Sequence, residues 1–519
     1  MPALLPAFSL RDSSGRDRSF PSGRRALIAF LKEDCPTCDL VTPLLDRLAE
    51  VRDLDLLIVG QEASGNAKLI ARHGLFSPLL DDSRLKVSFA YDIDTVPTVV
   101  LTDGEGRQTE RLTGFVRSEW QALFASLAAP AIDWPKLPEW RPGCGSKSVD
   151  PLIADRLRAE AENSPLRARK IEIAPADDEF EFMFDQGFTD GLPVVPPTPE
   201  RVLRMLAGTR RDPQDVVAVV PPNLAQVTVE KIAINAVLAG CKPAYLPVVI
   251  AAVEAVCNDT FNGHGVMSTT MGASPLLVVN GPIRERIGMN MKLGALGQGN
   301  RANASIGRAV RLVIRNVGGA RPGGTERSTL GTPLKFTMCF AEWEERSNWE
   351  PLHVERGFAK TDSVVTVFPA TSGPQLIVDQ KSRTAAQLGG SFGLVMQGIQ
   401  HPRSLTMDCV LVVCPEHVDT LATGNYSKAD LRRRIQDVTS VPLRERVADA
   451  VTGEGFDPVR AATMPAEALD KRVPKFVSDS MIHIVVAGAD AGKFSGLFHG
   501  WVGGEMGSVP VSRKIEEVT

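Results

Sequence analysis

The stretch RALIAFLKEDCPTCDLVTPLLDRL, Arg25 to Leu48, decides how the first part of this chain is read. Arg25 to Leu31 (RALIAFL) is a short apolar run, too brief for a core helix, and predicts a buried strand. It leads through Lys32-Glu33-Asp34 into Cys35-Pro36-Thr37-Cys38. From Asp39 to Val51, Leu40, Leu44, Leu45 and Leu48 recur at helical spacing. Strand, CxxC, helix is an arrangement that activates a thiol. Cys35 falls at a helix N-terminus, where unpaired N–H groups and the helix dipole favour a thiolate. Cys38, one turn in, is placed to resolve a mixed disulfide. A zinc site needs a second ligand pair at suitable spacing, and none lies nearby. Two inert buried thiols are the other alternative.

The elements that follow continue the pattern. Leu54 to Val59 predicts a strand and Gly65 to His73 a helix. Val96-Pro97 opens a strand over Thr98 to Leu101, Asp103-Gly104 turns it into a hairpin, and Ser118 to Leu127 closes with a helix. On these segments, with PAFSLRDSSGR near the start, FLKEDCPTCDLVTPLL around the CxxC and TVPTVVLTDGEG, residues 1 to about 128 resemble the thioredoxin-like fold, most closely its TlpA/peroxiredoxin-like branch. The resemblance implies Cys35 as nucleophile, Cys38 as resolving thiol and Pro97 as a cis-proline that guides substrate. Pro43 falls where the family kinks its active-site helix. Ala29 stands where thioredoxin proper has a buried acid, and Asp34 where it has Trp. Glu33 and Asp34 are expected to oppose thiolate formation.

Residues 129 to about 178 read as a Pro-rich linker, with Pro130, Pro135, Pro138 and Pro142 beside Trp134 and Trp140. Within it, Cys144 lies between two glycines, just before a predicted helix over Val149 to Ala161, and is expected to be an open, reactive thiol. Gly143 to Ser148 resembles part of the [U/C]-G-S-C motif of a bacterial selenoprotein-like group, with Lys147 in place of its final Cys.

From about residue 179 to 519 strands alternate with helices. Expected strands lie at Val216–Val220, Leu276–Val279, Val364–Phe368, Val410–Val413 and His483–Ala487, between helical segments such as Thr228–Ala239. A larger mixed or parallel α/β region follows, with room for two subdomains. TVEKIAINAVLAGCKPAYLPVVIAAVEA, NRANASIGRAVRLVIRNVGG and CPEHVDTL resemble segments of a bacterial family that carries no assigned chemistry. The glycine turn Gly294 to Asn300 feeds a helix with Arg301 and Arg308 in its first turns. Gly297, Gly299, Arg301 and Arg308 are therefore expected to bind an anion. Gly488 to Ser495 falls one residue short of a P-loop, which excludes that cradle. The histidines show no ligand spacing, and no metal or cofactor is expected.

Composition bounds the rest. In 519 residues, 58 Lys and Arg stand against 62 Asp and Glu, which argues against a nucleic-acid or polybasic membrane partner. Only three Tyr occur, too few for an aromatic stacking surface. Eight Cys in so long a chain are no disulfide framework. Ala236 to Val256 is apolar but carries Lys242, Pro243, Pro247 and Glu254, so it is read as a buried helix broken near Pro243. Met1 to Arg16 lacks the pattern of a signal peptide, and a cytoplasmic location is expected. The expected activity is a dithiol oxidoreductase whose Cys35/Cys38 pair passes reducing equivalents through Cys144 to the second region. That region would reduce a small anionic organic substrate, with an external thiol or thioredoxin-reductase-type donor as partner. The alternatives are a lyase or transferase kept reduced by its thioredoxin-like domain, or a redox-regulated binding protein.

Overall fold

The computed structural model describes residues 3–174, 177–405, 408–504 and 506–516. The chain divides into two compact units, Met1–Ile171 and Glu172–Thr519.

The first unit is built on β1 (Arg25–Leu31), α1 (Pro36–Leu48), β2 (Leu54–Gly60), α2 (Ala63–His73), β3 (Leu79–Asp81), β4 (Thr98–Thr102), β5 (Gln108–Thr113) and α3 (Arg117–Ser126). The sheet order is β3-β2-β1-β4-β5. β1 pairs parallel with β2 and antiparallel with β4, setting Ala29 opposite Val99 and Phe30 opposite Thr98. The unbroken apolar run of β1 follows from this central place: Ala26 to Leu31 are all buried, because helices cover both faces of the sheet. The order of elements is that of the thioredoxin-like fold, and it agrees with the sequence within one or two residues at most boundaries. The Val96–Pro97 peptide is cis, as the resemblance implied.

The segment expected to be a linker is part of this unit. Trp140–Arg141 pairs antiparallel with Phe115–Val116, and Cys144–Gly145 pairs antiparallel with Thr95–Val96. A helix, Pro151–Ala161, follows within the same unit. The prolines that suggested a free spacer keep the segment extended, and the residues between them retain the N–H groups that an edge pairing needs.

The second unit centres on a seven-stranded mixed sheet: β6 (Ser274–Asn280), β7 (Cys339–Ala341), β8 (Val364–Val378), β9 (Cys409–Val413), β10 (Ile482–Val486), β11 (Phe494–Gly500) and β12 (Val511–Lys514). The order is β7-β6-β8-β11-β9-β10, with β12 also on β8. Alternate residues feed two cores. Leu411, Val413 and Ile484 face one, with Leu388 and Phe392, while Val410, Val412 and Val485 face the other, with Phe340 and Phe368. The apolar stretch read as a broken helix is two elements, α4 (Val229–Leu238) and α5 (Leu246–Val256), the latter almost wholly buried. Among the described residues no single helix is long and apolar enough to cross a membrane.

Candidate active site

Cys35 is the N-cap of α1: its side chain accepts the Cys38 amide at 3.3 Å, and Pro36 occupies the first helical position, where no N–H is missed. Its sulfur lies 3.4 Å from the Val96 carbonyl, directly before Pro97. The Cys35 thiol is pulled down to about 5. A hydrogen bond from the Cys38 thiol is the largest cause. Burial opposes it, and the Cys144 thiol and the Cys38 and Thr37 amides add to it. Burial, then the neighbouring Cys35 sulfur, pushes Cys38 far upward, so it stays a protonated thiol. The two cysteines are therefore held in opposite states, Cys35 as thiolate and Cys38 as protonated thiol.

Glu33 and Asp34, expected to oppose the thiolate, do not prevent it. Glu33 is paired with Arg72 at 2.5 Å and Lys68 at 3.9 Å, and Asp34 with Lys32 at 3.4 Å, so nearby cations offset both carboxylates.

Cys144 stands beside this pair. The register sets it opposite Val96, the residue whose carbonyl faces Cys35, and its side chain packs on the core that contains Cys35 and Cys38. Burial, then its hydrogen bond to Cys35 and that sulfur's charge, raises the Cys144 thiol. Three of the predicted residues besides Cys35, namely Cys38, Pro97 and Cys144, thus meet at one place. Sequence reasoning missed the residues that hold Cys144 there. Thr37 Oγ1 donates to the Pro142 carbonyl at 2.6 Å, and Gln61 Nε2 donates to Ser146 Oγ at 2.7 Å. Gln61 Oε1 accepts the Lys147 amide at 3.0 Å, and the Lys147 ammonium pairs with Glu62. All eight cysteines are free thiols.

The anion site expected in the second unit is not assembled as foreseen. The helix after the glycine turn, α6 (Arg301–Asn316), is capped by its own Asn300 side chain, which accepts the Asn303 amide at 3.0 Å. The Gly297 amide is spent on the Gly294 carbonyl at 2.8 Å, and Gly299 takes φ +107, a backbone role. Arg308 makes a two-pronged pair with Asp190, at 2.9 and 2.7 Å, so this chain's own carboxylate occupies it. Arg301 lines a cleft. It donates to the Gly240 carbonyl at 2.8 Å and joins Arg201, Arg204 and Lys242 around a cleft of about 200 Å³ floored by Met205 and Val237. Cys241 lies in the same cleft, and burial pushes its thiol up to about 12. Among the described residues no His, Cys, Asp and Glu group forms a metal site.

A further thiol escaped sequence reasoning. Cys414 caps α7 (Pro415–Ala422), with His417 one turn on. Burial raises this thiol, but His417's hydrogen bond and charge outweigh that and leave it below the usual range. Ser495 Oγ lies 2.7 Å from His417 Nδ1. The CPEH spacing was the available signal.

No family model matches this chain. It is similar to the methylamine utilization protein MauD of Paracoccus versutus, 26% identical over 106 residues, which is 20% of this chain and 53% of that protein. The chain thus spans about half the length of this curated relative. Among solved structures it is similar to the thioredoxin domain of a thiol-disulfide oxidoreductase from Bacteroides vulgatus (18% identity, 24% of this chain, 96% of that one, TM-score 0.22). It is likewise similar to StoA from Bacillus subtilis (22% identity, 24% and 99%, TM-score 0.22). The first unit has the element order and sheet topology of the thioredoxin-like fold and carries the Cys35–Cys38 pair at the start of its first helix.

Proposed function

We propose that the chain is a two-part reductase: its first unit performs thiol–disulfide exchange, and its second uses the reducing equivalents on a small organic anion. The observation that carries the first half is the split between Cys35, drawn down to about 5, and Cys38, kept protonated beside it. The Cys35 thiolate attacks one sulfur of a substrate disulfide, forming a mixed disulfide and expelling the other sulfur as thiolate. Cys38 gives up its proton and attacks Cys35 Sγ, which releases the second substrate sulfur and leaves a Cys35–Cys38 disulfide. An external thiol, two equivalents per turn, restores the dithiol. Pro97 and the Val96 carbonyl border the sulfur that the substrate must approach.

The second half is supported by the cleft around Arg301. Four cationic side chains ring a small apolar floor, which suits a carboxylate or similar anion on a short carbon frame. Reduction there consumes two electrons and two protons: the Cys35 thiolate and Cys38 thiol supply both electrons and one proton, and solvent supplies the other.

The test uses reduced full-length protein. Cys35→Ser abolishes reduction of insulin disulfides, and the double variant Cys38→Ser/Cys144→Ser accumulates mixed disulfides on Cys35. A Cys35→Ser protein that still reduces insulin at the wild-type rate refutes the assignment.

A further inference from the structure

An attacking sulfur has to be reached, yet Cys35 is 0% exposed. The residues paired against its rim come from further along its own chain. Cys144–Gly145 forms an antiparallel pair with Thr95–Val96, and the Ser146 amide extends it to the Asp94 carbonyl at 2.9 Å. On one side of this pair, Thr37 and Pro36 of α1 hold Pro142 and Arg141. On the other, Gln61 grips Ser146 and Lys147, and Ser148 Oγ donates to the Ile93 carbonyl at 2.8 Å. Gly143 is required by the closeness of the fit: a Cβ there would lie 2.3 Å from Thr95 Cγ2 and 2.8 Å from the Val96 carbonyl. An extended strand added to a free edge, with one side chain delivered to the reacting group, is how a peptide is recognised by β-augmentation. Here the delivered side chain is a thiol, set in register opposite Val96, whose carbonyl lies 3.4 Å from the Cys35 sulfur, and packed on the core that contains Cys35.

We propose that residues 140–148 are a built-in substrate of the Cys35 site: Cys144 exchanges with Cys35 to form an internal Cys35–Cys144 disulfide, and this strap must leave Thr95–Val96 before an external disulfide is attacked. The proposal rests on Cys35 being the attacking thiol, as argued under the proposed function. The exchange needs no outside oxidant once Cys35–Cys38 is oxidised. Cys144, as thiolate, attacks Cys35 Sγ; the Cys35–Cys38 bond breaks; Cys38 leaves as thiolate and takes up the proton that Cys144 gave. One disulfide replaces another. Oxidation of Cys35 removes the thiolate whose charge helps raise Cys144, so the third thiol becomes easier to ionise when it is needed.

The experiment has two arms on the full-length chain. In the first, Cys38→Ser protein is treated with oxidised glutathione. Cys35 attacks the small disulfide, one glutathione thiol leaves, and Cys144 displaces the second, so peptide mapping is expected to find Cys35 linked to Cys144. Stable glutathione on Cys35 with Cys144 still alkylatable overturns the internal substrate while leaving Cys35 as the attacking thiol. No modification of Cys35 at all overturns both. In the second arm, iodoacetamide labelling of Cys35 is timed. Gly143→Val, which drives the strap off Thr95, is expected to label about tenfold faster or more than wild type, and Gln61→Ala to rise less, since access then requires less local opening. Should Gly143→Val fail to fold, Gln61→Ala alone decides. Rates equal to wild type overturn the gate.

Discussion

The titration of Cys35 can be worked through to a number. An ordinary thiol at 9.0 is about 1% thiolate at pH 7, and one at about 5 is about 99%, a gain near a hundredfold. A weaker base is also a weaker nucleophile. With a Brønsted slope of about 0.4–0.5 over roughly four units, intrinsic reactivity falls about 40- to 100-fold. At neutral pH the two effects nearly cancel, so a single-pH rate says little. The shape of the profile is the signature. Alkylation of Cys35 in the folded, reduced protein is expected to stay level from pH 8 to 6 and to halve near pH 5. The same cysteine in guanidinium loses about tenfold per unit over that range. At pH 5.5 the thiolate fractions differ about 2,400-fold, which leaves the folded thiol about 25- to 60-fold ahead in intrinsic rate after the nucleophilicity loss. Strap opening scales the folded curve without moving its midpoint, provided opening itself is independent of pH. Quantitative mass spectrometry of the Cys35 peptide reads both curves. The causes are ranked, so Cys38→Ala, which removes the donor, moves the midpoint up furthest and Cys144→Ala less. A folded midpoint at pH 8 or above refutes the thiolate assignment.

Further outcomes follow from the same geometry. Because the folded thiol titrates below the unfolded one, reduced wild-type protein gains stability relative to Cys35→Ser as pH rises from about 5 to 9. That gain is lost as pH falls through 5, and chemical denaturation at pH 5, 7 and 9 measures it. Limited proteolysis is expected to spare 130–148 and to cut near residue 171, where the two units meet in sequence; early cleavage inside 130–148 would return that segment to a linker. Arg301→Ala and Lys242→Ala are each expected to weaken binding of a small dicarboxylate by about tenfold or more, the worth of one charge-assisted hydrogen bond, with calorimetry as the readout. Equal binding in both variants removes the cleft from consideration.

The first unit was legible because each signal was local. A fully apolar β1, a CxxC at a helix start and a Val96-Pro97 step are adjacent in sequence to the elements they define. Cys144 was singled out for its glycine neighbours, a local cue, but its neighbours in space are Val96 and Cys35, and no local pattern reports an antiparallel pairing between Thr95–Val96 and Cys144–Gly145. The prolines of 129–142 misled for the same reason: proline content records the backbone each residue prefers, not which edge the extended chain will meet. In the second unit the glycine turn before Arg301 looked like an open anion cradle. Whether N–H groups at a helix start are free depends on the side chains that reach them. Asn300 does so from the adjacent position, while Asp190 reaches Arg308 from more than a hundred residues away. A spacing rule could have flagged the first of these and not the second.

The placement of the strap bears on why the chain would carry a third thiol in that position. A dithiol pair alone stores two electrons, which it gives up on closing to one disulfide, and an exposed attacking sulfur would spend them on any accessible disulfide. With Cys35 at 0% exposure and its rim paired to residues 140–148, reaction with outside disulfides requires the strap to unpair first. Reaction with Cys144 requires no such opening, because the third sulfur is already beside Cys35. The chain thereby favours the internal exchange over the external one by proximity alone, an advantage equivalent to a high effective concentration. Selectivity follows from that ordering: a disulfide that reduces the strap's hold competes, and one that does not is ignored. This ordering depends on Gly143 and Gln61, neither of which touches a reacting sulfur, so it can be weakened without altering the dithiol itself.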